Sequence, residues 1–202
     1  MKRILQKTLM VVLAAILLVA ATQPARAAEE KIPPLRPPIA ADLGVAKANS
    51  GRIDEGLALV DEAVQRAMAI GRISRLPLLM VKRGDAHLLA GDTATAALCA
   101  KEALRLATLQ KERGNVVCAT RLLAAVLASE QPGSPEVEAH YVRALRLARE
   151  LGMRPMVAHC HAGLAQHYTG VSEKRLARQH RVAAARLYRS MGMRFWLGQL
   201  EQ

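Results

Sequence analysis

The chain has 202 residues, enough for one domain with or without a targeting segment. Hydrophobic residues make up 51% of it and aromatic residues only 2%, which argues against a β-sheet protein, because strands favour β-branched and aromatic residues. The net charge of +12 indicates attraction to anionic surfaces, although solubility alone can account for such a charge.

Residues 1–27 have the pattern of a secretory signal peptide. Basic residues near the start precede an apolar run from Leu9 to Ala21, and Ala25 and Ala27 supply the small side chains that signal peptidase needs. The run is short for a membrane span, which needs about 20 residues. We expect cleavage after Ala27 and a periplasmic or secreted protein, with an uncleaved membrane anchor as the alternative.

Residues 28–38 are rich in proline, with Pro33, Pro34, Pro37 and Pro38 close together. Proline at this density opposes helix formation, so the segment is predicted to be an extended spacer. The folded domain is then expected to cover residues 39–202.

Small residues recur along this domain with a period near 40, which is typical of a helical solenoid. Turn-forming residues recur in the same way and divide each unit into two helices. The small-residue sets are Ala63, Ala103, Ala144 and Ala184, then Gly56, Ala96, Val137 and Ala177, then Gly44, Gly84, Ala125 and Ala165. The turns inside the units are predicted at Gly51, Gly91, Pro132 and Ser172, and the second helices are predicted to end at Gly71, Gly114, Gly152 and Gly192.

This pattern resembles the tetratricopeptide repeat (TPR) over residues 37–192. Gly84, Gly91, Ala96 and Ala103 match the small and turn positions of that family, and Tyr168 matches its usual first-helix aromatic. The period exceeds the family's usual 34 residues, so longer helices are expected. The resemblance implies an all-α, right-handed solenoid of about four helix-turn-helix TPR-like repeats, with a protein or peptide bound on the concave face.

The segments 152–161 and 188–196 also resemble the terminal repeats of bacterial multidomain regulators that carry adenylate-cyclase-like or ATPase modules. The sequence contains no nucleotide loop of the GxxxxGK[ST] kind. The resemblance therefore implies a fold and protein binding, and no enzymatic activity or cofactor is expected.

By repeat position, the predicted peptide-binding face is mostly apolar with a few polar groups. This mixture favours an extended or helical peptide that docks by apolar contact. The residues are Leu78, Lys82, Asp85, Ala119, Leu122, Val126 and Gln166.

The cysteines and histidines raise a second hypothesis, a metal or redox enzyme centred on Cys160. His159, Cys160 and His161 are consecutive, and consecutive side chains on a helix diverge, so no metal site is predicted there. Cys99 and Cys118 are expected at different heights on neighbouring helices, too far apart for a disulfide.

The last long helix is strongly basic, with Lys174, six arginines between Arg175 and Arg194, and a single acid, Glu173. Nucleic-acid binding is not expected, because the chain has few aromatic side chains on which bases could stack. The helix is predicted to be the solvated cap of the stack, and contact with anionic lipids or cell-surface polymers is the alternative.

Overall fold

The computed structural model describes residues 36–71 and 73–201, which belong to one compact unit beginning at Arg36. These ranges contain nine α-helices and a 3-10 turn at Ile73–Arg75. The helices are α1 (Pro37–Asn49), α2 (Ile53–Ala69), α3 (Leu76–Leu89), α4 (Thr93–Leu109), α5 (Arg113–Glu130), α6 (Pro135–Glu150), α7 (Arg154–Gly170), α8 (Lys174–Ser190) and α9 (Arg194–Glu201). The described part of the chain is all-helical, as its composition predicts.

The predicted signal peptide, residues 1–27, and most of the predicted spacer lie outside the described residues. Helix α1 begins at Pro37, inside the range predicted to be spacer. Proline is compatible with the first turn of a helix, where the missing N–H has no helical partner.

Consecutive helices pack against each other throughout the described chain. In addition, α1, α3, α5 and α7 contact one another in succession. We call these four helices the inner layer, and α2, α4, α6 and α8 the outer layer.

Small side chains lie where the helices meet. Ala63, Ala103, Ala144 and Ala184 are each at most 1% exposed, so this set of repeated small positions lies in the core, whereas Ala125 of another predicted set is only partly buried. A β-carbon at Gly56 would lie 2.6 Å from the backbone oxygen of Gly44, which shows how closely α1 and α2 approach. Larger residues at these positions would force the helices apart.

Three-residue turns join most of the helices. The predicted ends at Gly51, Gly71, Gly91, Gly152 and Gly192 are confirmed, since each has a positive φ directly after a helix. Between α5 and α6 the turn covers four residues, and Gly133 rather than Pro132 has the positive φ.

The predicted helix end at Gly114 is wrong. Gly114 lies in the first turn of α5, and the left-handed residue between α4 and α5 is Lys111, with φ 56°. The sequence pattern pointed to the nearest glycine, whereas the left-handed conformation belongs to Lys111, three residues earlier, where it strains the backbone.

Replacing Lys111 by glycine is expected to stabilise the protein by about 0.5–1 kcal/mol. A side chain in the left-handed region costs roughly 1–2 kcal/mol, and the added freedom of glycine in the unfolded chain offsets part of that gain. Urea unfolding would measure the difference. Gly152→Ala is the matched control, because Gly152 has φ 66° in the equivalent turn and should lose stability. Equal stability of the two variants would contradict the explanation.

None of the helices in the described part of the chain combines the length and the apolar character needed to cross a membrane.

Candidate ligand-binding groove

A groove lies along the inner layer and consists of two adjoining cavities of about 520 and 390 Å³. Both cavities are lined by all four inner helices and by α9. The shared lining residues are Val45 and Asn49 of α1, Asp85 of α3, Arg121 of α5, Met156 and His159 of α7, and Trp196 of α9. The first and last helices of the described chain therefore line the same groove.

An ion pair between Arg121 and Asp85 connects two inner helices within the groove. Arg121 Nη2 donates to Asp85 Oδ1 at 2.6 Å, and both side chains are largely shielded from solvent. Burial alone would lower the pKa of the Arg121 guanidinium, but the Asp85 carboxylate outweighs burial and raises that pKa above its ordinary value. The groove thus contains a permanent positive charge on a group with five N–H donors.

A second ion pair, between Lys82 and Asp42, connects α3 with α1. The Asp42 side chain is 68% exposed, whereas that of Lys82 is 15% exposed. This pair lies at the solvent-facing side of the groove. The charges of Lys82 and Asp42 cancel, so the first cavity combines apolar walls with charges that are already paired.

Aromatic side chains line the part of the groove next to α9. The His159 and Trp196 rings meet edge to face at 4.7 Å, and Tyr188 Oη lies 2.9 Å from His159 Nδ1. Burial, with a smaller effect from Arg121, lowers the pKa of His159 to about 4, so this histidine is uncharged at neutral pH. Trp196 packs onto a core cluster of α7 and α8, whereas Phe195 is 47% exposed at the groove.

The residues predicted to bind a peptide divide into two sets. Leu78, Lys82, Asp85 and Gln166 line the groove. Ala119, Leu122 and Val126 are at most 1% exposed and pack in the core between α3, α4 and α5. Repeat position placed these three on an inner helix but did not separate the side of α5 that faces the groove from the side that faces α4.

Sequence reasoning missed several groove residues, above all Arg121, Met156 and Tyr141. The repeat pattern gave no signal for Arg121. It stands one helical turn after Cys118, and both side chains line the first cavity. Neither residue stands at a repeat position that was predicted for the binding face.

His159, Cys160 and His161 point into three different surroundings, as the helical geometry predicted. His159 faces Tyr188 and Trp196, Cys160 is fully buried, and His161 contacts Arg149 and His180. Residues 36–71 and 73–201 contain no cluster of three or more His, Cys, Asp or Glu side chains suited to a metal ion.

Cys99 and Cys160 are buried, Cys118 is partly buried, and none of the three forms a disulfide in the described part of the chain. Burial raises the pKa of the Cys160 thiol to about 12 and also raises those of Cys99 and Cys118. A nucleophilic cysteine needs the thiolate form, which burial disfavours at neutral pH.

The repeated positions alone support the resemblance to the tetratricopeptide repeat, since no protein-family model matches the chain and a search of curated proteins returns no match.

Proposed function

We propose that residues 39–202 form a right-handed solenoid of about four TPR-like repeats that binds a segment of another protein in the groove. The protein is then a scaffold, not an enzyme. The observation that carries this proposal is the groove itself, which is lined by all four inner helices and by α9 and combines apolar walls with few polar groups. Concave, mainly apolar surfaces with a few placed polar groups are typical of ligand sites.

The groove suits a peptide with apolar side chains and at least one hydrogen-bond acceptor. Val45, Met156 and Trp196 offer apolar contacts, while Arg121 has more N–H donors than Asp85 alone accepts. A backbone carbonyl or a carboxylate of the peptide would satisfy those donors.

The buried state of Cys160 supports a binding role over a thiol-based reaction. Its side chain is 0% exposed and its pKa is raised by burial, so it neither reaches a substrate nor ionises readily. The signal-like pattern in residues 1–27 supports export, and we propose that the protein works in the periplasm or outside the cell.

The test is a selection of peptides from a displayed library against the protein beginning at residue 28, followed by affinity measurements on two variants. Met156→Arg places a charge in the groove, and we expect it to weaken binding of the selected peptides by at least about tenfold. Leu98→Arg is the matched control, since Leu98 is 68% exposed on α4 and does not line the groove.

A photo-crosslinking residue at position 166 should label the same peptides, because Gln166 is exposed and lines the second cavity. The same residue at position 98 should not. Peptides that bind both variants equally and crosslink from position 98 would show that binding occurs outside the groove and would rule out the proposed site.

A further inference from the structure

The outer layer carries a strong charge asymmetry. Helix α2 contains four acids, Asp54, Glu55, Asp61 and Glu62, and one base, Arg66. Helix α8 contains six bases and no acid. The positive charge is therefore concentrated on the last outer helix.

The acids of α2 are largely neutralised within the molecule, whereas the bases of α8 are not. Asp61 pairs with Arg83 at 2.5 Å, and Glu55 pairs with Lys47 and Arg52. In the described part of the chain, Arg189 is the one α8 base with an acid within ion-pair distance, Glu201 at 3.0 Å. A second copy of this protein is therefore a poor partner for the bases of α8, because most acids of its α2 helix are already paired.

The bases of α8 form a solvent-facing surface, which we call the basic face. All six are exposed: Lys174, Arg175, Arg178, Arg181, Arg186 and Arg189. Val182 stands among them and is 60% exposed, whereas the bulkiest ring of the helix, Tyr188, is 1% exposed. A cluster of exposed bases is attracted to anionic lipid headgroups, whereas binding of single-stranded nucleic acid also needs exposed rings for stacking.

We propose that the basic face of α8 binds an anionic phospholipid surface. Seventeen residues at about 1.5 Å each give a contact roughly 25 Å long, enough to span several headgroups. The face belongs to the outer layer and the groove to the inner layer, so the protein binds lipid with the groove accessible. The two proposals can therefore fail independently.

Co-sedimentation with vesicles tests the proposal. The protein beginning at residue 28 keeps every described helix and lacks the apolar run at residues 9–21, which would itself enter lipid. We expect binding to vesicles of about 30% phosphatidylglycerol in phosphatidylcholine, none to phosphatidylcholine alone, and loss of binding at about 0.5 M salt.

The triple variant Arg175→Gln, Arg178→Gln, Arg186→Gln should lower partitioning about 100-fold, since each base near an anionic membrane contributes about fivefold. The matched control is Lys101→Gln, Arg143→Gln, Arg146→Gln, which removes the same charge from exposed positions on α4 and α6. We expect the control to change partitioning less than about threefold.

Equal losses in the two triple variants would show that net charge alone drives binding and would overturn the proposal. Equal binding to neutral vesicles would also overturn it. Tighter binding to single-stranded DNA than to the anionic vesicles would assign the face to nucleic acid instead. Circular dichroism of both variants excludes unfolding as the cause, and peptide binding in the groove should survive the α8 substitutions.

Discussion

Replacing Gly163 by alanine is expected to destabilise the protein by about 2–3 kcal/mol. Gly163 lies on α7 against the ring of Tyr141 on α6, and a β-carbon there would overlap ring carbons Cζ and Cε1 and stand 2.6 Å from the hydroxyl oxygen. Tyr141 is 5% exposed and packed among buried side chains, so its ring can move away only on the side that borders the second cavity. Overpacking of this kind typically costs 1–3 kcal/mol, and here it would outweigh the helix propensity gained with alanine.

Gly114→Ala is the matched control, because both glycines lie in helices. The nearest atom to a β-carbon at Gly114 is Met153 Sδ at 3.7 Å, an ordinary contact. We expect this variant to gain up to about 0.5–1 kcal/mol from helix propensity. Urea unfolding gives both values, and a similar effect from the two substitutions would refute the steric explanation.

The double variant Gly163→Ala, Tyr141→Leu adds a sharper test. A smaller side chain at position 141 leaves space for the new β-carbon, so the two substitutions should couple by about 1 kcal/mol or more. Tyr141 and Gly163 also line the second cavity. If the ring escapes the clash by moving into that cavity, Gly163→Ala should weaken peptide binding in the groove as well as lower stability.

The helical pairs could be predicted because their signal is local and repeated. Glycine and alanine stand where two helices cross, and Gly44 and Gly56 are close enough that each contributes to the crossing of α1 and α2. Such crossings depend on residues a few turns apart in the same unit. The period near 40 therefore predicted eight of the nine helices in the described residues and most of their ends, whereas α9 lies beyond the last repeat.

The groove could be predicted only in part, because its contacts join residues from different units. Asp85 and Arg121 are 36 residues apart, and their pairing depends on how α3 lies on α5. Trp196 reaches the groove only because α9 turns back onto α7 and α8. Repeat position assigns a residue to an inner helix, but the side that faces the groove depends on the packing of neighbouring units.

The repeat pattern also could not predict the pairing of His161 with His180. This pairing makes the stability of the protein depend on pH. Arg149 Nη2 lies 3.0 Å from His161 Nε2, and His161 Nδ1 lies 2.9 Å from His180 Nδ1. Because arginine only donates, His161 Nε2 must accept, and the Nδ1–H of His161 then donates to His180. The chain of hydrogen bonds requires both histidines to be neutral.

Stability is expected to fall as the pH decreases from about 6.5 towards 4. Burial, His180 and Arg149 together lower the pKa of His161 to about 4, and burial also lowers the pKa of His180. Below the unfolded-state pKa near 6.5 the unfolded chain takes up a proton that the native state does not bind, so the native state loses stability. For His161, which is 7% exposed, the loss reaches about 2 kcal/mol by about pH 5 and about 3 kcal/mol near pH 4.

Urea unfolding between about pH 7.5 and 5 isolates this effect, because carboxylates contribute mainly below about pH 4.5. Glu55 is an example, since hydrogen bonds from Arg52 and Lys47 lower its pKa to about 2. His161→Gln removes the titrating ring but keeps a neutral side chain that can accept a hydrogen bond from Arg149. The free energy of unfolding of this variant should therefore change less with pH, by a slope that corresponds to about one proton. Identical pH profiles for the variant and the parent protein would show that His161 is not held neutral by its surroundings. The remaining slope in the variant contains the contributions of His159 and His180, because burial also lowers the pKa values of these two histidines.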